Sequence, residues 1–226
     1  MIKRLDWDSD FFGLQIGELI YESNLETDNS YDLLYVINNC DFEIEIENFT
    51  NSFSETKLIF SKNIMKSSPK AYSIFSVKKI QYKKEDIYYL AYESGKFSRF
   101  FLDDNFSNEK FEKLYQKWVD NSISNTIADD LLIFLEDDHI VGFVTYKCSD
   151  QFATIGLIAV SSNHQGKGIG KKLLETVENI LFEQKVKTIF IPTQEKNEVA
   201  CKFYIKQGYN VIEKKVIKHY WKNDTI

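Results

Sequence analysis

The sequence predicts an α/β protein of the α+β kind, with a mixed central sheet flanked by helices and a smaller strand-rich lobe at the N-terminal end. Three observations predict it. Apolar residues make up 43% of the 226, which is typical of a folded chain. Strand patterns dominate the first part, and from about residue 107 strand and helix patterns alternate. A cluster of glycines separates one of those strands from a helix. We therefore expect an N-terminal lobe over 1–95 and a second domain over 96–226.

The N-terminal lobe is predicted from period-two patterns. The stretch GLQIGELIY at 13–21 indicates a strand interrupted by Gly17, and 42–47 alternates apolar residues with glutamates as a half-buried strand does. The apolar run at 31–39 favours a helix. Further strands are predicted at 57–60, 72–77 and 87–92.

The second domain has sharper signals. An apolar stripe at helical spacing predicts a helix through Phe111, Leu114, Tyr115, Trp118 and Val119. Two apolar runs around an acidic turn predict an antiparallel hairpin over 131–147. The remaining elements are strands at 153–160, 187–191 and 209–221, a helix from Ile169 to Leu181, and a short helix at 197–208 opened by Asn197 and closed by Gly208.

Composition and charge exclude several classes of function. A net charge of −6 argues against a general nucleic-acid binder. No apolar run approaches ~18 residues, so no membrane span is expected. The first ten residues have no export pattern, which favours a cytoplasmic protein with reduced thiols. The three histidines and three cysteines are not spaced as metal ligands, so no metal is expected.

The stretch HQGKGIG at 164–170 uses three of only nine glycines. A strand-to-helix turn aims free backbone N–H groups at the helix start, where the helix dipole favours an anion such as phosphate. Position 171 is Lys, which excludes both a dinucleotide fingerprint and a P-loop. A flexible surface turn is the alternative.

The stretch QGKGIG, with the strand residues Leu157 to Val160 before it, resembles the Q/R-x-x-G-x-G/A motif of the GNAT acyltransferase superfamily. The likeness covers about residues 98–221. It implies an acyl-coenzyme A whose pyrophosphate is held by backbone N–H groups of the glycine segment. It also implies that the pantetheine arm pairs with the strand before it, in a gap opened where the strand at 187–191 splays away. The residues implied are Ile158, Ala159, Val160, Gln165, Gly166, Lys167, Gly168, Ile169 and Gly170.

The same resemblance implies roles on the short helix. The pattern N-x-x-A-x-x-F-Y matches Asn197, Ala200, Phe203 and Tyr204, so Asn197 would contact the pantetheine and Tyr204 would be the general acid for the coenzyme sulfur. The alternative for Tyr204 is a core aromatic. Cys201 is expected to be a small core residue. The general base is left open among the acidic residues of the N-terminal lobe.

The stretch LDWDSDFFGLQIG at 5–17 is similar to TDP-fucosamine acetyltransferases and related nucleotide-sugar N-acyltransferases. This resemblance implies transfer to the amine of a TDP-linked amino-deoxysugar for surface polysaccharide synthesis. Arg99 would bind phosphate, and Trp7 and Phe11 would supply stacking surface. A structural salt bridge for Arg99 and core packing for the aromatics are the alternatives. Another acceptor amine (peptide, polyamine or antibiotic) and a non-catalytic coenzyme A sensor stay open, and an edge strand would permit a homodimer.

Overall fold

The computed structural model describes residues 2–21, 28–66 and 72–223. In this part of the chain ten strands form one sheet in the order β1-β2-β3-β10-β4-β9-β8-β7-β6-β5. The strands are β1 Lys3–Arg4, β2 Ile16–Ile20, β3 Leu33–Asn38, β4 Phe49–Asn63, β5 Ile74–Ser76, β6 Asp130–Glu136, β7 His139–Ser149, β8 Phe152–Val160, β9 Thr188–Gln194 and β10 Asn210–Lys222. The helices are α1 Asp6–Phe12, α2 Lys84–Gly95, α3 Arg99–Leu102, α4 Asn108–Ile123, α5 Ile169–Glu183 and α6 Glu198–Lys206.

The sheet is mixed, as predicted. Strands β2 and β3 are parallel, as are β8 and β9, and the other neighbours are antiparallel. Strand β10 lies between β3 and β4, so the end of the chain completes a sheet begun in the N-terminal segment. The two predicted parts therefore share one sheet, and the boundary near residue 95 stays a prediction.

Each face of the sheet has its own hydrophobic core. Helices α1 to α4 cover one face, where Leu114 and Ile133 are fully buried. Helix α5 and Tyr204 of α6 cover the other, with Leu173, Val177 and Ile189 at its centre. Burying each such side chain contributes roughly 1.5–3 kcal/mol. The two faces hold different parts of the candidate site described below.

The helix predicted at 31–39 is wrong, because this segment contains strand β3. Leu33, Leu34, Tyr35 and Val36 are all fully buried, with β2 on one side and β10 on the other. A central strand buried on both faces loses the period-two pattern that marks a half-exposed strand.

The strands predicted at 87–92 and 42–47 are also wrong. Residues 87–92 lie inside helix α2, which buries Ile87, Leu90 and Ala91 on one face. Segment 42–47 contains only an isolated bridge from Ile46 to Phe49, although its burial alternates as expected. Helix α1 was not predicted; it ends at Gly13, whose φ of 69° is left-handed.

The elements predicted for the second domain are confirmed. Helix α4, the β6–β7 hairpin, strands β8 to β10 and helices α5 and α6 all occur where the patterns place them. The hairpin turns through Asp137 and Asp138, both with positive φ. Within the described ranges no helix is long and apolar enough to cross a bilayer.

Candidate active site

Strands β8 and β9 separate part-way along their length. They pair from Phe152–Thr188 to Thr154–Phe190, and β9 then continues along β4 as far as Gln194. Strand β8 stays paired with β7 on its other edge up to Val160. In the described sheet, the edge of β8 beyond Thr154 that faces β9 therefore has backbone groups without a strand partner. The predicted splay is present, and Ile158, Ala159 and Val160 lie along this open edge.

A β-bulge lies where the two strands part. Between the pairs Val144–Ile158 and Tyr146–Ile155, strand β8 uses one residue more than β7. The Leu157 N–H donates to Thr145 Oγ1 at 2.8 Å, which satisfies a group released from the ladder. A Cβ at Gly156 would lie 2.9 Å from that hydroxyl oxygen, so the bulge needs glycine there.

The glycine segment connects the open edge to helix α5. Gly166 and Gly168 have φ of 77° and 78°, a conformation that side chains disfavour. Gly170 serves another purpose, since a Cβ there would lie 3.2 Å from Phe203 Cζ on α6. Two of the glycines thus form the turn, and the third lets α5 and α6 approach each other.

The start of α5 presents free amides. Its N-cap is Gly168, which has no side chain to cap it, and the first amide to return to the chain is Lys172 N, at 3.1 Å from Gly168 O. The N–H groups of Ile169, Gly170 and Lys171 precede that bond and lie at the positive end of the helix dipole. Residues 165–168 are exposed. This geometry suits a bound diphosphate.

Two side chains of the glycine segment lie close to a carboxylate. Glu136, at the end of β6, lies 3.0 Å from His164 Nε2 and 3.4 Å from Lys167 Nζ. Gln165 Nε2 donates to Val160 O at 3.3 Å, which ties the segment to the end of β8. The segment is thus anchored by side chains while its helix-start amides stay free.

Helix α6 begins as predicted. Asn197 is its N-cap, and Asn197 Oδ1 accepts from Ala200 N at 3.2 Å. Its end also follows the prediction, since Gly208 has φ of 84° and Tyr209 N returns to Tyr204 O at 3.0 Å. The cap occupies the Asn197 carbonyl and leaves its amide N–H groups for another partner.

Tyr204 lies where the strands part. Its ring centroid is 5.4 Å from that of Phe60, which pairs across β4 and β9 with Ile191, one residue past the last β8–β9 pair. Burial raises the pKa of the Tyr204 phenol, so the group is a proton donor and not a phenolate. Cys201, one turn earlier, is a free thiol whose pKa burial also raises, which agrees with a core residue.

A second group of polar residues lies on the opposite face of the sheet. The Arg99 guanidinium carbon is 4.2 Å from the ring centroid of Tyr35 and 4.9 Å from that of Phe100. The Arg99 backbone N–H hydrogen-bonds the carboxylate of Glu55, a buried residue of β4. Arg99 therefore lies between an aromatic ring and a carboxylate.

The predicted aromatics lie on helix α1. Trp7 is 43% exposed and stacks on Phe11 with ring centroids 5.2 Å apart, while Phe11 packs against the core. Asp8, next to Trp7, is close enough to Arg99 for the arginine charge to lower its pKa, although burial, the larger cause, raises it. Helix α1 thus brings the aromatic pair and a carboxylate to the Arg99 side of the sheet.

The comparison with known families decides the classification. Residues 96–209 match the model of the acetyltransferase (GNAT) family, which is half of the chain.

This chain belongs to the GNAT family.

Relatives of this GNAT protein are distant. It is 26% identical to the spore coat polysaccharide biosynthesis protein SpsD of Bacillus subtilis strain 168, over 61% of this chain and 47% of SpsD. It is 31% identical to the dTDP-fucosamine acetyltransferase of Escherichia coli O6:H1, over 44% of this chain and 42% of that protein. The chain spans less than half the length of these two curated relatives.

A solved structure supports the fold. The GCN5-related N-acetyltransferase of Sphaerobacter thermophilus superposes with a TM-score of 0.52 at 14% identity, covering 83% of this chain and 59% of that one. The GNAT architecture is therefore confirmed. The individual site residues stay predictions.

Several candidate residues of this GNAT protein were not found from the sequence. Thr145 supports the bulge, and Tyr35 and Glu55 accompany Arg99. The sequence signal for Glu55 is weak. It would appear only if β4 were predicted to begin at Phe49, because Glu55 and Lys57 would then lie on the strand face opposite Leu58. The pattern indicated only 57–60 as a strand, and no spacing rule links this strand to Arg99.

Proposed function

We propose that this GNAT protein is an acyl-CoA-dependent N-acyltransferase acting on the amine of a TDP-linked amino-deoxysugar. The observation that carries the proposal is the open edge of β8. The glycine segment follows this edge directly in the chain and ends at the free amides at the start of α5. The product would enter surface polysaccharide synthesis.

The acyl-CoA substrate would lie along this path. The amides of the glycine segment and of the helix start would hold its diphosphate, with Gly166 and Gly168 letting the backbone approach. The open edge at Ile158 to Val160 would pair with the pantetheine amides, as an added strand would. The spare amide N–H groups of Asn197 are placed to join them.

Tyr204 would supply the proton for the leaving sulfur. Its phenol is held neutral by burial, and its ring lies at the point where the gap opens. Proton donation in the transition state makes a thiol out of a departing thiolate and is typically worth 10²–10⁴-fold in rate. Direct attack by the acceptor amine then needs no covalent acyl-enzyme.

The acceptor class has two supports. Two of the relatives are a dTDP-fucosamine acetyltransferase and a spore coat polysaccharide biosynthesis protein. The residues 1–95 add α1 and its Trp7–Phe11 stack beside Arg99, which forms a polar and aromatic surface suited to a nucleotide sugar.

An acceptor screen tests the proposal. The purified chain would be incubated with acetyl-CoA and a panel of amines: TDP sugars with an amine at C3 or C4, a polyamine, and peptides with a free N-terminus. We expect thiol release and an acetylated product by mass spectrometry with a TDP-amino sugar, and none with the matching 3- or 4-hydroxy sugar. Turnover confined to a peptide or polyamine would reject the acceptor. Tight binding of acetyl-CoA with no turnover on any amine would indicate a sensor.

A further inference from the structure

We propose that a cavity beside the β-bulge of β8 receives the acyl chain of the donor, and that this chain is a straight apolar acyl group longer than acetyl. The cavity lies between β7, β8 and the end of α4. We call it the bulge cavity and define it by Trp118, Ile127, Phe152, Gly156 and Leu157. The proposal rests on the acyl-CoA binding of the proposed function and adds to it the chemical class of the acyl group.

The size of the bulge cavity suits a chain of several carbons. Its volume is about 420 Å³. Sites for small molecules typically have volumes of about 300–1,000 Å³. An acetyl group would leave most of this space empty, whereas a longer chain would fill it and cover the apolar side chains that line it.

The floor of the bulge cavity is a part of the sheet that the helices leave uncovered. Successive residues of a strand point to opposite faces, so Phe152, Thr154 and Gly156 share one face of β8. All three are exposed, although β8 is an inner strand with β7 and β9 on its two sides. Phe152 is 51% exposed and Ile127 is 45% exposed, so two large apolar side chains of the cavity are open to solvent. An apolar ligand would remove them from water.

The inner end of the bulge cavity lies at the place proposed for the thioester. The arm of the coenzyme would run from the start of α5 along Val160 to Ile158, so its reactive end would come next, at the bulge of Gly156 and Leu157. Beyond the bulge, the pair formed by Thr154 and its β9 partner closes the gap between the strands. The acyl chain must therefore leave the plane of the sheet at the bulge.

One face of the sheet is closed to the chain at this level. Ile155, Ile191 and Tyr204 belong to the buried core under α5 and α6. The bulge cavity lies on the other face, where Leu157 packs against the core under α1 to α4. Gly156 has no side chain that could block the way. The phenol of Tyr204 and the acyl chain would thus lie on opposite sides of the reacting sulfur.

The lining favours an apolar chain over the acceptor. Of the described residues that line the cavity, only Lys147 is charged, and its ammonium lies 2.8 Å from Asp129 Oδ1. The hydroxyl of Ser122 donates to a carbonyl of its own helix, and that of Thr145 supports the bulge. A nucleotide sugar carries a diphosphate, for which this lining offers no unpaired cation. The residues around Arg99, proposed for the acceptor, lie across the gap on the side of β3 and β4.

The experiment is a chain-length series without acceptor. Calorimetric titration of the purified chain measures the Kd of acetyl-, butyryl-, hexanoyl- and octanoyl-CoA. We expect the affinity to rise about fourfold for each methylene buried, which corresponds to ~0.8 kcal/mol per CH₂. Butyryl-CoA should therefore bind about 15-fold more tightly than acetyl-CoA. The gain should end at the length that fills the cavity.

The decisive variant is Thr154→Phe, which places a ring inside the bulge cavity. Thr154 is exposed and lies on a strand, where phenylalanine is well tolerated. We expect this variant to bind acetyl-CoA as the wild type does and to lose the preference for longer chains. The matched control is Thr50→Phe, the same change at an exposed position of β4, which should keep the full preference. A general attraction of long chains to the surface would give the same series in all three proteins and would overturn the proposal.

The acceptor is the alternative occupant of the bulge cavity. The KM for the acceptor amine, measured with acetyl-CoA, distinguishes the two. We expect Thr154→Phe to leave this KM unchanged. A raised KM for the acceptor, together with an unaltered chain-length series, would show that the acceptor occupies the cavity and would overturn the proposal.

The outcomes separate this inference from the proposed function. The titrations need no acceptor, so they test the cavity even if a TDP-amino sugar is not the substrate. Equal affinities for acetyl- and butyryl-CoA in the wild type would overturn the inference, and turnover of a TDP-amino sugar would still support the proposed function. Absence of affinity for every acyl-CoA would reject both.

Discussion

At the scale of single residues, the glycines at 166, 168 and 170 do different things. A reader of the sequence sees three equal glycines, and a common role in approaching phosphate is the simplest interpretation. The structure gives them two roles, since the first two have positive φ and the third makes room for Phe203. Only backbone angles and a contact on another helix distinguish these roles, and neither is visible in the local pattern.

The Tyr204 assignment makes a prediction at this scale. Tyr204→Phe removes the proton donor but keeps the ring that packs on Phe60. We expect kcat to fall about 10²–10⁴-fold, with acetyl-CoA affinity and thermal stability nearly unchanged. Steady-state kinetics, calorimetric titration and a melting curve measure the three quantities.

Tyr209→Phe is the matched control. Tyr209 belongs to the same core, but its hydroxyl donates to Glu178 Oε1 at 2.7 Å. Its removal should lower stability by about 1 kcal/mol and leave kcat unchanged. Equal losses of kcat in the two variants would show that Tyr204 acts only by packing.

At the scale of elements, helix α6 connects capping to cofactor binding. Asn197→Ala removes the hydrogen bond to Ala200 N, and we expect a loss of about 1 kcal/mol in stability. The same change removes the side-chain amide proposed to contact pantetheine, so acetyl-CoA affinity should also fall. Urea unfolding and calorimetric titration measure the two effects.

Asn197→Ser separates them. Serine restores the N-cap and hence the stability, but its short hydroxyl does not replace the amide. We expect wild-type stability with weakened acetyl-CoA binding. Recovery of both properties by serine would mean that Asn197 acts as a cap and nothing more.

Among the helices, prediction from the sequence succeeded where one face is exposed and the other is buried. Helices α4 and α5 bury one stripe each, and the periodicity of 3.6 is plain. It failed at β3, where both faces are buried, and at α2, whose aromatic and β-branched run at 87–92 favours a strand locally. In α2 the packing of Ile87, Leu90 and Ala91 outweighs that local preference.

In the candidate site, what the sequence could predict depends on how far apart the residues are along the chain. The glycine segment, Asn197 and Tyr204 are local in sequence and were predicted from one motif each. The residues grouped around Arg99 come from α1, β3, β4 and α3, so they are separated by up to about ninety residues in the sequence. Only the pairing of strands brings Glu55 next to Arg99, and no local pattern carries that information.

At the scale of the whole molecule, a buried network connects the middle of the chain to strand β10. Asp103, which ends α3, accepts from Trp221 Nε1 at 3.0 Å and lies 2.6 Å from His219 Nδ1 on β10. His219 is fully buried and Asp103 is 2% exposed. The network fixes β10 against the end of α3, close to Arg99.

This network makes the stability depend on pH. Burial lowers the pKa of His219 to about 4, although Asp103 opposes the shift, so the imidazole stays neutral in the folded protein. In the unfolded chain the same group takes up a proton below pH ~6.5. Stability must therefore fall as the pH falls from about 6.5 towards 4. Hydrogen bonds from His219 and Trp221 lower the pKa of Asp103 despite its burial, so its own contribution is lost only at more acidic pH.

The prediction is a loss of about 1 kcal/mol between pH 7 and pH 5.5, since one group contributes at most ~1.4 kcal/mol per pH unit. Urea unfolding followed by circular dichroism measures it. The His219→Gln variant keeps a donor for Asp103 but cannot titrate. It should be less stable overall, and its free energy of unfolding should fall by about 1 kcal/mol less than that of the wild type between pH 7 and pH 5.5. His139 and His164 remain in both proteins and cancel in the comparison. Identical pH dependence in the two proteins would mean that His219 is protonated in the folded state, and the neutral network would be wrong.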